Sequence, residues 1–133
     1  MSGNPPPIPD AADINPLVSI VLAQKHLNTE VIVIDDGSND AGRTRAVVEA
    51  YGDQIRSISK SNGGVASALN AGIAAMRGDF FSWLSHDDLY LPRKIETQLA
   101  VARRFPEPVV VFGDVSIIDE DGRKACDGLF SAQ

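Results

Sequence analysis

Residues 30–40 read EVIVIDDGSND. Four apolar residues in a row, Val31, Ile32, Val33 and Ile34, run into two neighbouring acids, Asp35 and Asp36, and then into Gly37 and Ser38. Continuous rather than alternating apolar character marks a strand covered on both faces, as in the centre of a parallel sheet. The acids and the Gly-Ser pair then end it with turn chemistry. The stretch predicts a buried strand over 30–34 and raises a question. Two neighbouring carboxylates repel each other, so something at the carboxyl end of this strand must compensate them.

Working outward, Ser38 or Asp40 can cap a helix over 40–51, with Val47, Ala50 and Tyr51 as its apolar face and Gly52 as its stop. QIRSIS at 54–59 alternates and predicts a further strand. Asn62-Gly63-Gly64 is a loop, and Val65, Leu69, Gly72, Ile73 and Met76 recur at helical spacing over 65–77, with Gly78 as the stop. Residues 79–84 predict a strand that ends in Ser85-His86-Asp87-Asp88. Pro92 opens a helix whose buried stripe is Ile95, Leu99, Ala102 and Phe105, and Pro106 ends it. PVVVFG at 108–113 predicts another buried strand, and Val115–Ile118 a strand entering an Asp121-Gly122 turn. On the amino side, the β-branched run LVSIVL at 17–22 predicts a strand. This alternation predicts a Rossmann-like α/β fold, a mostly parallel sheet with helices on both faces.

The 133 residues fit one domain, placed at 16–124, after a flexible proline-rich lead-in over 1–15 and before an unassigned tail at 125–133. Twelve Lys and Arg against eighteen Asp and Glu give a net charge of −6, without a basic patch, which argues against nucleic acid as a partner. A lone cysteine, Cys126, forms no internal disulfide, and no apolar run reaches the ~20 residues of a membrane span. The first residues lack a signal peptide's basic and apolar regions. A cytoplasmic protein is expected, held at the inner face of the membrane only through partners.

Asp35-Asp36 and Asp87-Asp88 both come just after predicted strands, and open α/β sheets bind ligands beyond the carboxyl ends of their strands. Paired oxygen ligands suit Mg²⁺ or Mn²⁺ with phosphate. Asp and Ser also serve as plain turn and cap residues. Composition and spacing stop at a phosphate- or metal-handling α/β domain.

Two families fit that description. EVIVIDDGSND and PVVVFG imitate strands of a response-regulator receiver domain, but the receiver's Lys-Pro pair has no match, and NGG and the DDLYLP turn stay unexplained. The chain more specifically resembles the family 2 glycosyltransferases, which have the nucleotide-binding GT-A fold. EVIVIDDGSND looks like that family's second strand and DDGS turn. SNGGVASALNAGIAAMRGDFFSWL resembles its N-G-G…A-x-N-x-G…G-[DE]-[FY] segment. SHDDLYLPRKIETQL is similar to its D-x-D-D-x-[WY]-x-P-x-K-[IL]-x-x-Q block. VVVFGDVSIIDEDGRK resembles the family's next segment along the chain. The four motifs stand in the family's order, and the resemblance covers roughly residues 16 to 124.

The resemblance implies inverting transfer of a sugar from a nucleotide donor, expected to be a UDP-sugar, to an acceptor hydroxyl. It implies that Asp36 hydrogen-bonds the base, with Asp35 supporting the turn, and that Asn62, Gly63 and Gly64 let backbone approach the nucleotide. Asp87 matches the last acid of the D-x-D motif and would bind Mg²⁺ or Mn²⁺, with Asp88 supporting that site or capping the next helix. Ser85 departs from the pattern, standing where the first acid belongs, from which it could still bond a ribose or a metal-bound water. His86 fills the variable middle position. Asn70, Gly72, Pro92, Lys94, Ile95 and Gln98 match the family as structural residues, Trp83 reads as core, and His26 has no assigned partner.

The family's P-x-Y-N loop and most of its first helix have no counterpart here, so about twenty residues are missing by comparison with the family's strand–helix–strand unit. LVSIV matches the family's first strand, while SIVLAQ also matches the end of that first helix. The family's catalytic base and acceptor segment lie beyond the matched part, so no catalytic residue is assigned. The expectation is a truncated donor half with little or no transferase activity of its own. Its uncovered apolar surface is expected to favour self-association or a partner chain. A non-catalytic nucleotide- or metal-binding module remains the alternative.

Overall fold

The structure is a computed structural model that describes residues 18–24, 28–85 and 88–126. Two compact units divide the chain, the first ending at Glu96 and the second beginning at Thr97.

The first unit is built on two parallel strands, β1 (Ile32–Asp36) and β2 (Arg56–Lys60). Their register sets Ile32 opposite Arg56 and Asp36 opposite Lys60. A helix, α1 (Arg43–Ala50), and a 3₁₀ turn (Gly52–Gln54) connect them, and α2 (Val65–Ala75) comes after β2. Successive strand side chains point to opposite faces. Val33 joins the core of Val18, Val48 and Ile55 on the α1 side. Ile34 faces α2, where its Cγ1 lies 3.6 Å from the place a Cβ would take at Gly72. Helices therefore cover both faces of a small parallel sheet, and the fold class is the Rossmann-like α/β one.

Both strands start two residues further along the chain than their apolar patterns suggest, β1 ending two residues later and β2 one. Asp35 and Asp36 are the last two residues of β1, not part of the turn after it. Backbone pairing with Ser59 and Lys60 holds them in the ladder, because the strand's end is open to solvent and tolerates charge. The helix expected over 40–51 starts at Arg43. Asp40 anchors its first turn, accepting hydrogen bonds from the backbone N–H of Thr44 (2.9 Å) and from the Thr44 hydroxyl (2.5 Å). Thr44 is fully buried, and these bonds hold the Asp40 carboxyl below its ordinary pKa.

One expected strand is a helix. Residues 18–22 are helical, so the strand reading of LVSIVL is corrected in favour of its match to the end of the family's first helix. Val18 and Leu22 lie one helical turn apart and both pack into the core beside Val48 and Ile55. Gln24, directly after, is buried and clamps the next helix, α3 (Lys94–Ala102). Its Nε2 donates to the Leu91 carbonyl (3.0 Å), and its Oε1 accepts from the Ile95 N–H (3.1 Å), one of the donors a helix's first turn leaves unsatisfied.

Two further expected strands, 79–84 and 108–113, are absent among the described residues. A strand exists through its ladder, and neither segment pairs with a neighbour here. Tyr90 holds the first of them as a loop, with its hydroxyl donating to the Trp83 carbonyl (2.5 Å) and sharing a 2.6 Å hydrogen bond with Ser82. Trp83, read as core, is exposed. In the second unit, Val110 and Phe112 are 88% and 83% exposed, although their pattern suits a buried strand. The strand expected over Val115–Ile118 narrows to β3 (Ile117–Ile118), which pairs antiparallel with β4 (Lys124–Cys126) across the expected Asp121-Gly122 turn. Asp119 closes that turn by accepting from the N–H groups of Asp121 and Arg123, both at 2.9 Å. Among the described residues, no helix is long and apolar enough to cross a membrane.

Candidate functional site

The carboxyl edge of β1 and β2 carries two turns that press on each other. The first comes directly after β1, where Asp35 Oδ1 accepts the Ser38 N–H at 2.8 Å and fixes the Gly37-Ser38 turn. Gly37 sits at φ +83°, and a Cβ there would lie 2.8 Å from the Asn62 backbone nitrogen. Only glycine allows both the conformation and this approach. The second turn comes after β2. Asn62 lies against Gly37, Gly63 has room for no side chain beside Ser67, and Gly64 takes φ +90° and ψ 173°, a region essentially restricted to glycine.

Asp36 fastens the two turns together. Its Oδ1 accepts from Lys60 Nζ at 2.6 Å and from the Gly63 N–H at 3.0 Å, and its Oδ2 accepts from the Gly64 N–H at 2.9 Å. The Lys60 ammonium, and after it the two loop N–H groups, hold the Asp36 carboxyl below its ordinary pKa. This is the compensation that the paired acids of β1 demand. Asp35 and Asp36 point to opposite faces of the sheet, so their charges diverge. Asp35 borders a cavity of about 220 Å³ on the α1 side, shared with Ser57 and Ser59 of β2 and with Arg45 and Glu49.

Five expected site residues, Asp35, Asp36, Asn62, Gly63 and Gly64, thus form one contiguous rim. Lys60 belongs to that rim and was not anticipated. The signal for it is register, since Asp36 and Lys60 oppose each other only once β1 and β2 are aligned.

Ser85 and Asp88 stand in another turn, closed by a 3.2 Å bond from the Asp88 N–H to the Ser85 carbonyl. Asp88 is exposed, and Lys94 at the start of α3 packs 4.0 Å from the centre of the Tyr90 ring. The expected metal acid Asp87 lies outside the described residues, as do His86, His26, the lead-in and most of the tail. Among the described residues, no three His, Cys, Asp or Glu side chains gather closely enough to hold a metal ion. The carboxylate and hydroxyl oxygens of this turn nevertheless suit a hard divalent cation in their donor chemistry.

A helix-covered parallel sheet whose carboxyl edge bears glycine turns and a braced carboxylate defines an α/β domain of the doubly wound kind, a class that binds its ligands beyond that edge. More particularly, residues 11–126 match the profile of Glycosyl transferase family 2, and the chain belongs to that family. The receiver reading, carried by two short segments, gives way to it. The chain is 46% identical over 107 residues to an uncharacterized glycosyltransferase of Rickettsia bellii (strain RML369-C), a match covering 80% of this chain and 16% of that protein. It is 45% identical over 104 residues to one of Rickettsia typhi, covering 77% of this chain and 32% of that protein. It is 35% identical to one of Nostoc sp. (strain PCC 7120), again over 77% of this chain and 32% of the other. The chain spans a third or less of the length of each of these curated relatives. The family implies a nucleotide-sugar donor and an acceptor, and its members commonly use divalent cations.

Proposed function

We propose that this chain is the donor-binding part of a family 2 glycosyltransferase, taking a UDP-sugar with Mg²⁺ or Mn²⁺ for inverting transfer to an acceptor hydroxyl. The observation that carries the reading is the rim at the carboxyl edge, where Asp36 joins the DDGS turn to the NGG loop. In this reading Asp36 accepts an N–H of the uracil ring, a bond that cytosine, lacking that hydrogen, cannot donate. Asp35 keeps the turn closed under the nucleoside. Gly63 and Gly64, whose own N–H groups Asp36 holds, let the backbone at the α2 amino terminus come close to bound nucleotide, where a helix end favours anions.

Asp87, with its chain neighbours Asp88 and Ser85, would hold the divalent cation, which offsets the charge of the departing nucleoside diphosphate. Inverting transfer also needs a general base at the acceptor hydroxyl. No residue of this chain is given that role, and the chain alone is proposed to transfer sugar weakly or not at all. In the same reading the chain works in the cytoplasm, with the exposed Val110 and Phe112 as its surface for association with itself or with a partner chain.

The test is calorimetric titration of UDP into the chain with Mn²⁺, beside the Asp87→Ala variant. Manganese-dependent binding that the variant loses is the expected result. A folded chain that ignores UDP would sink the donor reading, and UDP binding that needs no divalent cation and survives Asp87→Ala would favour a nucleotide-binding module without the transferase metal site.

A further inference from the structure

Asp36 has more partners than a base-reading carboxylate needs. A carboxylate offers about four acceptor positions. Three are taken, two on Oδ1 by Lys60 and Gly63 and one on Oδ2 by Gly64. What remains is a single acceptor position on Oδ2, and the three existing bonds dictate where it points. Lys60 is fixed in turn by the Ser61 carbonyl at 2.8 Å. Its reach depends on Gly63, because a Cβ there would lie 3.0 Å from Lys60 Nζ and 2.7 Å from Ser67 Oγ. This is also no loose surface pair, since the two side chains are only 22% and 21% exposed and oppose each other in the β1–β2 register.

We propose that Lys60 is a positioning residue for nucleotide recognition. Its ammonium locks the Asp36 carboxylate so that the one remaining acceptor position meets a ring N–H of the base. The proposal rests on the donor-site reading above and adds to it the residue that orients the base-reading group. Other charges around Asp36 do not compete for this role. The α1-side carboxylate of Asp35 is turned to the opposite face and bonded to Ser38, and the first turn of α2 contains no acid. The loop N–H groups of Gly63 and Gly64 are dipoles that work in the same direction as Lys60.

The pair also predicts a pH dependence. Lys60 depresses the Asp36 pKa in the folded chain, so the ionised acceptor persists below the ordinary carboxylate range. Without the ammonium, Asp36 protonates at a higher pH, and a protonated oxygen no longer accepts the ring N–H. The acid limb of UDP binding must then move up in pH.

The experiment is UDP titration with Mn²⁺ into wild type, Lys60→Met and Lys60→Arg from about pH 3 to about pH 8, which spans the carboxylate range, with folding checked by circular dichroism at each pH. At neutral pH, where Asp36 is ionised in all three, Lys60→Met is expected to weaken UDP binding about tenfold through lost orientation. Its acid limb is expected at higher pH, with Lys60→Arg returning the limb toward the wild-type position because the charge is kept. A purely structural lysine would lower the melting temperature and leave the acid limb unmoved. If Lys60→Met does not fold, Lys60→Gln carries the same comparison. Wild-type affinity and pH profile in the neutral variant, or tighter binding, would overturn the role of Lys60 while leaving the donor site intact. Failure of the wild type to bind UDP would instead bring down the donor reading, and this inference with it.

Discussion

The two edges of the β1–β2 pair are built from the same parts and arranged for different ends. At the amino edge, Glu30 accepts from the Arg56 guanidinium at 2.9 Å and from the N–H groups of Arg77 and Gly78 at 2.5 and 3.3 Å. Arg56 also donates to the Ala75 carbonyl at 2.8 Å, so it ties the strands to the carboxyl end of α2. At the carboxyl edge, Asp36 meets Lys60 of β2 and the N–H groups of Gly63 and Gly64, at the amino end of the same helix. Each edge thus joins a carboxylate, a cation from β2 and two peptide donors. The first closes on itself, since its cation also satisfies a helix carbonyl. The second is assembled from glycines in conformations other residues avoid, next to the helix end that favours anions. Shared hardware with unequal backbone strain suggests that one edge fastens the helix while the other is kept for a ligand.

The sharpest way to break this comparison is to neutralise each acid in turn. Asp36→Asn turns an amide toward donors that need an acceptor, and it is expected to weaken UDP binding about a hundredfold. Glu30→Gln should lower the melting temperature and leave UDP affinity unchanged. Calorimetry with UDP and Mn²⁺ alongside thermal denaturation reads both effects. Equal behaviour of the two variants, with loss of stability and no selective loss of binding, would show that the edges differ only in position.

The glycines offer the next largest contrast. Gly64 lies at φ +90° and ψ 173°, so Gly64→Ala should cost about 1–3 kcal/mol. Gly78 at the amino edge has only the Phe80 carbonyl, 3.8 Å away, near the place a Cβ would take. Gly78→Ala is therefore expected to stay within about 0.5 kcal/mol of wild type. Urea unfolding of both variants decides it. A cost at Gly78 equal to that at Gly64 would mean that the strain is not confined to the proposed ligand edge.

Much of this architecture is legible in the chain itself, and the failures have physical causes. EVIVI and QIRSIS announce β1 and β2, and the apolar spacing of residues 65–77 announces α2. Their ends are less legible, because Asp35 and Asp36 break the apolar pattern without breaking the backbone ladder. LVSIVL has strand composition and helix spacing at once, and the core beside Val48 selects the helix. GDFFSWL and PVVVFG have the pattern of strands, but a pattern cannot supply the neighbouring strand that makes a ladder. The meeting of DDGS with NGG is foreshadowed by motif order. The Asp36–Lys60 pair is not, because contacts across strands depend on register, which no single segment encodes. Gln24 is similar, since its bonds to Leu91 and Ile95 span about seventy residues of chain.

A smaller contrast than that between Gly64 and Gly78 lies midway between the two edges, at Gly72. This residue is in the interior of α2 and faces Ile34 of β1. A Cβ there would meet Ile34 Cγ1 at 3.6 Å and Cδ1 at 3.8 Å, ordinary contact distances. Alanine also lacks the backbone freedom that glycine loses on entering a helix, so Gly72→Ala should stabilise the chain by about 0.5–1 kcal/mol. A longer side chain has no such room. Gly72→Leu would lift α2 from β1 and strain the fastenings at both ends together, lowering the melting temperature. If alanine destabilises as leucine does, the helix already sits closer to the sheet than these distances allow. If alanine stabilises and UDP affinity is unchanged, the middle of α2 is spacer, and the difference between its two ends belongs to the edges themselves.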